Sequence, residues 1–147
     1  MERPACAQTA ESEAAVAGRH RGSGTIMVVD DESVVRMALR SMLESIGYAV
    51  VCKEDGRQAV DFYISETGAN RRFAAMIFDL TIPGGMGGTE AVAQIRRLDS
   101  AIPVFVTSGY ADNSVMRNPA EYGFTASITK PFTIAELSEM LARHVTG

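Results

Sequence analysis

From Thr25 onward the apolar residues of this chain follow a repeating order. A short unbroken apolar run is followed by a stretch in which apolar residues return every three or four positions. Ile26 to Val29 is the first run. After it, Val35, Leu39, Met42 and Ile46 recur at helical spacing up to Gly47, a residue suited to stopping a helix. Tyr48 to Lys53 predicts a second strand, and Ala59, Val60, Tyr63 and Ile64 predict one face of a second helix. The run from Phe73 to Phe78 is closed by Asp79 and a Pro/Gly-rich segment, the pattern of a strand buried on both faces. A third helix is expected from about Thr89, with Val92, Ile95 and Leu98 inward, then a fourth strand over Ile102 to Val106. A short helix near Asp112 to Arg117, which Pro119 helps to end, leads to a fifth strand over Thr125 to Thr129. The last helix opens with Thr133 and Glu136, a capping-box pair, and should bury Ile134, Leu137 and Leu141.

Five alternating strand–helix units predict an α/β fold: a parallel sheet with helices on both faces, joined by right-handed crossovers. The strands at Ile26, Ala74 and Ile102 are almost continuously apolar, whereas Tyr48–Lys53 and Thr125–Thr129 include polar residues. Apolar strands belong in the middle of a parallel sheet and mixed ones at its edges. The flavodoxin-like order 2-1-3-4-5 satisfies that ranking.

Composition narrows the function. The chain has 147 residues, of which 46% are hydrophobic and 22% charged, so one domain with a sizeable core is expected. A net charge of -4 and the absence of a basic stripe argue against direct nucleic-acid binding. Two distant cysteines, Cys6 and Cys52, make no metal-ligand spacing and fit a reducing compartment. No apolar run approaches the roughly 20 residues that span a bilayer, and no signal peptide is evident. The expected location is the cytoplasm, without a membrane partner. Residues 1–24 differ from the rest: they are rich in Ala, Gly, Ser and Arg and show little periodicity. Residues 10–17 could form a helical turn or two, but residues 18–24 (G-R-H-R-G-S-G) read as a linker, so residues 1–24 are expected to be a flexible tail and residues 25–147 the domain.

The candidate chemistry stands at the strand ends. The first strand ends in Asp30-Asp31, the third in Asp79, the fourth in Thr107-Ser108 and the fifth in Lys130-Pro131. Asp79 alone fits a turn-capping carboxylate as well as a reactive one. In the 2-1-3-4-5 order, however, strands one and three are neighbours, and three carboxylates share one rim. Carboxylates that close repel unless a cation sits between them. Hard oxygen donors on a small open site suit Mg²⁺, and a hydroxyl and an ammonium opposite complete a pocket for a tetrahedral anion.

These residues carry a resemblance. V-V-D-D-E at 28–32, F-D-L-T-I-P-G-G-M-G-G at 78–88, V-T-S-G-Y at 106–110 and T-K-P-F at 129–132 follow predicted strands in the order found in the receiver domain of bacterial two-component response regulators. The resemblance spans Thr25 to Val145, and the second and third motifs are similar to receivers of hybrid sensor histidine kinases. It implies that Asp79 accepts a phosphoryl group from the phosphohistidine of a sensor histidine kinase or histidine phosphotransfer protein. It further implies that Asp31 and Asp79 ligate Mg²⁺, with Asp30 holding the ion partly through water and the Thr81 backbone carbonyl adding a ligand. Lys130 would neutralise phosphoryl charge and Thr107 would bond a phosphoryl oxygen, switching a surface read by a downstream protein partner. The family also has a cis bond before Pro131.

Each residue has a duller reading beside the functional one. Asp30 and Asp31 could cap the first helix, Thr107 could be an ordinary strand-end hydroxyl, and His20 and His144 read as solvated. The Gly84–Gly88 cluster matches no phosphate-binding loop and reads as a flexible turn. One position departs from the family: three residues before the lysine, Ser127 replaces the usual aromatic, leaving Tyr110 or Phe124 as substitutes. Phosphoacceptor switching without turnover on an outside substrate is the expected activity, in a stand-alone receiver or a piece of a hybrid kinase. The alternatives are an aspartate-nucleophile phosphatase of haloacid dehalogenase type, a flavin- or nucleotide-binding module, and a receiver that docks without being phosphorylated. The first needs an acid two residues past the nucleophile, where Thr81 stands.

Overall fold

The computed structural model describes residues 22–145. The expected tail falls outside the described residues except for residues 22–24, and so do the helical turn at 10–17, Cys6 and His20. Five strands, β1 (Thr25–Val29), β2 (Ala49–Lys53), β3 (Ala75–Asp79), β4 (Val104–Ser108) and β5 (Ala126–Thr129), form one parallel sheet in the order β2-β1-β3-β4-β5. The expected order holds, and burial follows it. All of β4 is buried and so is β3 up to Phe78, while β5 at the edge is only partly covered.

Alternation along each inner strand divides the core in two. Ile26, Val28, Ile77 and Phe105 face helices α1 (Ser33–Ile46) and α5 (Ile134–His144), which contribute Leu39, Leu43, Ile46, Leu137 and Leu141. Met27, Val29, Met76, Phe78, Val104 and Val106 face α2 (Gly56–Gly68), α3 (Gly88–Leu98) and the short α4 (Ser114–Arg117), a 3-10 turn at Pro119–Tyr122 following α4. Burying one such aliphatic side chain contributes about 1.5–3 kcal/mol.

Helix ends follow the sequence signals. The Thr133 hydroxyl accepts the Glu136 N–H and the Glu136 carboxylate accepts the Thr133 N–H, closing the expected capping box on α5. Gly47 stops α1 at φ +128°, and a Cβ there would meet the Gly22 carbonyl oxygen at 2.6 Å, so glycine is required twice over. Gly22 N–H donates to Ile46 O, and Ala49 N–H to Gly24 O, which ties residues 22–24 along the start of the sheet.

Four expectations are corrected. The fourth strand begins two residues late, at Val104, because Asp99 Oδ1 accepts the N–H groups of Ala101 and Ile102 and holds that stretch as a turn. Leu98 is 55% exposed, since α3 ends there and the chain turns off through Asp99. Ile64 lies outside the buried face of α2, which is made by Ala59, Val60 and Tyr63. His144 is half-buried, its ring centroid 5.9 Å from that of Phe105, because the last turn of α5 lies over β4.

Arg96, which looks like an ordinary polar residue of an amphipathic helix, joins α3 to the opening of β5. Its guanidinium donates to the carbonyls of Gly123 (2.8 Å), Asp99 (3.2 Å) and Ile102 (2.7 Å) and to Thr125 Oγ1 (3.4 Å).

Candidate functional site

The site lies at the carboxyl ends of β1, β3, β4 and β5. Asp30 directly follows β1 and is 1% exposed. All of its polar atoms are engaged: its N–H donates to Lys53 O at 3.2 Å, and its carbonyl accepts from Arg36 Nη1 at 2.7 Å. Its Oδ1 accepts the Glu32 N–H at 2.9 Å, and its Oδ2 accepts from Lys130 Nζ at 3.2 Å. Neither Asp30 nor Asp31 caps α1. Glu32 is the N-cap, without a side-chain cap bond.

Asp79 is the last residue of β3, and its Oδ1 accepts from Lys130 Nζ at 3.2 Å. One carboxylate oxygen each of Asp30, Asp31 and Asp79 lie within 4.8 Å of one another, Asp31 being exposed. Burial, then the neighbouring Asp30 carboxylate, pushes Asp79 up to about 6, with Asp31 adding to the rise and the Lys130 ammonium opposing it. Burial pulls Lys130 down, but the charges of Asp79 and Asp30 outweigh it and hold the ammonium above its ordinary value. Among the described residues, Lys130 is the cation bonded to the Asp30 and Asp79 carboxylates, and Asp31 adds a third carboxylate to the cluster. Three hard oxygen donors with incomplete charge compensation fit a divalent cation of the magnesium type.

Thr107 pairs with Asp79 in the β3–β4 register and is 1% exposed. Paired residues of a parallel ladder share a face, so the Thr107 side chain stands beside that of Asp79. Leu80 N–H donates to Thr107 O at 2.9 Å, which continues the ladder past Asp79. Ser108 Oγ accepts the Tyr110 N–H at 3.1 Å and shapes the turn that follows. Thr81 lies in the exposed loop two residues past Asp79, where the turn bonds run from Gly85 N–H to Ile82 O and from Gly88 N–H to Leu80 O, leaving the Thr81 carbonyl out of them. The glycine-rich loop is anchored to the start of α2 by Gly56 N–H, which donates to Met86 O at 2.8 Å. The Lys130–Pro131 peptide is cis.

All six site residues expected from the sequence therefore lie on one rim. Ser127 donates to Met116 O at 2.8 Å, tying β5 to α4. Of the two aromatic substitutes, Tyr110 is 75% exposed and Phe124 is fixed in the core beside α3. Sequence reasoning missed Arg36, whose contact with the Asp30 carbonyl no periodicity could show.

Beside Lys130 lies a largely apolar trough of about 260 Å³, formed by α1 (Val34, Val35, Ala38, Met42) and by Pro131 and Phe132. Among the described residues, no helix is long and apolar enough to cross a membrane.

The family model for the response regulator receiver domain matches residues 26–142. The sporulation initiation phosphotransferase F of Bacillus subtilis is 27% identical over 120 residues, which cover 82% of this chain and 92% of that protein. The sensory/regulatory protein RpfC of Xanthomonas campestris is 31% identical over 131 residues, 84% of this chain but 17% of that protein. An uncharacterized transcriptional regulatory protein of Bacillus subtilis, YkoG, is 29% identical, and the chain spans 49% of its length. Among solved structures, the receiver domain of a sensor histidine kinase from Pseudomonas aeruginosa, with a magnesium ion coordinated in its active-site cleft, has a TM-score of 0.71 at 28% identity. The match covers 84% of this chain and 98% of that one. The chemotaxis protein CheY4 of Vibrio cholerae has a TM-score of 0.72 at 25% identity, covering 84% of this chain and all of that one (100%).

Proposed function

The chain belongs to the response regulator receiver domain family, and on that premise we propose that it is a phosphorelay switch that accepts a phosphoryl group on Asp79. One observation carries the reading: Lys130 Nζ reaches Asp30 and Asp79 at 3.2 Å each, on the rim where Asp31 and Thr107 also stand.

Asp79 is the nucleophile. Its carboxylate is ionised above about pH 6 and held beside a cation. A carboxylate oxygen forms the new P–O bond as the P–N bond of a donor phosphohistidine breaks, and the leaving imidazole takes up a proton. Lys130 places its ammonium where the phosphoryl oxygens accumulate charge, and a positioned cation of this kind is the larger part of phosphoryl-transfer catalysis. The Thr107 hydroxyl, beside Asp79, bonds a phosphoryl oxygen and draws on the loop after β4. Asp30, Asp31, Asp79 and the Thr81 carbonyl are the residues that would hold Mg²⁺, which when bound supplies positive charge against the phosphoryl oxygens.

A protein donor suits the surroundings. Val34 and Met37 are 75% and 68% exposed on α1, and the apolar trough ends at Lys130. A sensor histidine kinase or histidine phosphotransfer protein docking there would bring its histidine to Asp79, and a second protein partner would read the phosphorylated surface. We place this exchange in the cytoplasm, with residues 25–147 as the receiver and residues 1–24 as its tail. The phosphatase alternative lacks support, since the position for its second acid is Thr81.

Incubation with acetyl phosphate and Mg²⁺, followed by intact-mass measurement, tests the proposal. A single phosphoryl adduct is expected, absent in Asp79→Asn and after chelation of the metal. An adduct that persists in Asp79→Asn would move the nucleophile elsewhere.

A further inference from the structure

Asp31, the most exposed of the three carboxylates, owes its position to its neighbour's backbone. The Asp30 N–H is fixed by Lys53 O and its carbonyl by Arg36 Nη1, at 2.7 Å. With both ends of Asp30 held, its two backbone dihedrals are set. Because the Asp30–Asp31 peptide is planar, the Asp31 Cα is placed as well.

Arg36 lies at the start of α1. Its own N–H donates to Glu32 O, so it lies in the opening of the helix, where the dipole disfavours a cation. The negative charge that accompanies it lies just before the helix, in Asp30, Asp31 and the N-cap Glu32. Helical side chains lean toward the amino terminus, which brings the half-buried guanidinium back over the β1–α1 loop.

We infer that Arg36 is a positioning residue that fixes the Asp30–Asp31 peptide so that Asp31 faces Asp79 across the cation site. The inference rests on the metal reading above and adds a residue outside the ligand set. Outer contacts that orient ligands typically contribute a factor of 10–100 to metal affinity.

Sign separates this role from a general charge effect. Removing a cation near a cation site should by itself tighten Mg²⁺ binding, whereas losing the positioning contact should weaken it. The experiment is a Mg²⁺ titration of the whole chain followed by NMR amide shifts, together with amide exchange and thermal unfolding without metal. Arg36→Gln should weaken Mg²⁺ binding about tenfold. It should also speed exchange of the Glu32 amide, which is held by Asp30 Oδ1, and leave Ile77 in the sheet unchanged. Arg36→Lys, which keeps the charge and can donate one bond to the carbonyl, should fall between Arg36→Gln and the wild type. Mg²⁺ binding by Arg36→Gln as tight as the wild type, or tighter, would overturn the role. Should Arg36→Gln not fold, Arg36→Met, which also removes the donor, is read in its place, and wild-type affinity there overturns it equally. A wild-type chain that does not bind Mg²⁺ sinks the metal reading and this role together. That result is distinct from a change seen only between wild type and variant.

Discussion

Lys130 and Asp79, 51 positions apart in sequence, meet at 3.2 Å between Nζ and Oδ1, while the same ammonium reaches Asp30 Oδ2 at 3.2 Å. One cation thus serves two carboxylates that crowd each other, and a third, on Asp31, stands within the same cluster. The site is held together by opposite charge and left short of it, so it should respond to anything that alters that balance.

Replacing Lys130 with Met removes the only protein cation bonded to Asp79 among the described residues. Adduct formation from acetyl phosphate should slow by about 10²-fold or more, the usual effect of losing a group that stabilises transition-state charge. Mg²⁺ should bind more tightly, because a competing cation has gone. Phosphorylation at the wild-type rate would remove Lys130 from the chemistry.

The pH dependence follows from Asp79. Its folded value is raised to about 6, mainly by burial, so the fold favours its protonated form. Its stabilising contribution is complete below the ordinary carboxylate value near 4 and is lost as pH rises through about 6. In metal-free buffer at neutral pH, Asp79→Asn should therefore be more stable than the wild type by about 1–3 kcal/mol, with the gap closing near pH 4. Urea unfolding at the two pH values measures it. Mg²⁺ should shrink the gap at neutral pH, and wild-type Mg²⁺ affinity should fall as pH drops below about 6, where the proton competes for Asp79.

Thr107→Ala keeps the nucleophile, the carboxylates and the lysine, so phosphorylation should proceed within a fewfold of the wild-type rate. The response of the loop after β4 should be lost. Amide exchange over residues 108–113, compared before and after phosphorylation, should change in the wild type and stay constant in the variant. An unaltered response in the variant would remove Thr107 from the switch.

Arg96→Met should test packing apart from chemistry. It leaves the carbonyls of Gly123, Asp99 and Ile102 without the guanidinium they share. A loss of about 2–4 kcal/mol is expected by urea unfolding, from partly buried acceptors left unsatisfied. The acetyl phosphate reaction, run well below the unfolding midpoint, should be unchanged.

Much of this protein could be read along the chain because two signals are local. Unbroken apolar runs marked the strands and three-to-four-residue spacing the helices, since each reflects which sides of an element are covered. The contrast between the pure runs at Ile26 and Ile102 and the mixed one at Thr125 separates central from edge strands, a ranking that the order 2-1-3-4-5 satisfies. In a parallel sheet of known order the strand ends lie on one rim, so Asp30, Asp31, Asp79, Thr107 and Lys130 were brought together before any distance was known. Tertiary structure alone decided what depends on contact between distant segments. Leu98 matched the helical spacing of Val92 and Ile95, yet it is exposed because α3 ends there and the chain turns away. The fourth strand starts at Val104 because Asp99 captures the amides of Ala101 and Ile102. Arg36 and Arg96 look like surface cations on amphipathic helices, and only the positions of backbone carbonyls elsewhere turn one into a support for the acidic loop and the other into a clasp on β5. A side chain's spacing along a helix says which way it faces, but a hydrogen bond also needs the distance and direction of its acceptor, and those exist only once the chain has folded.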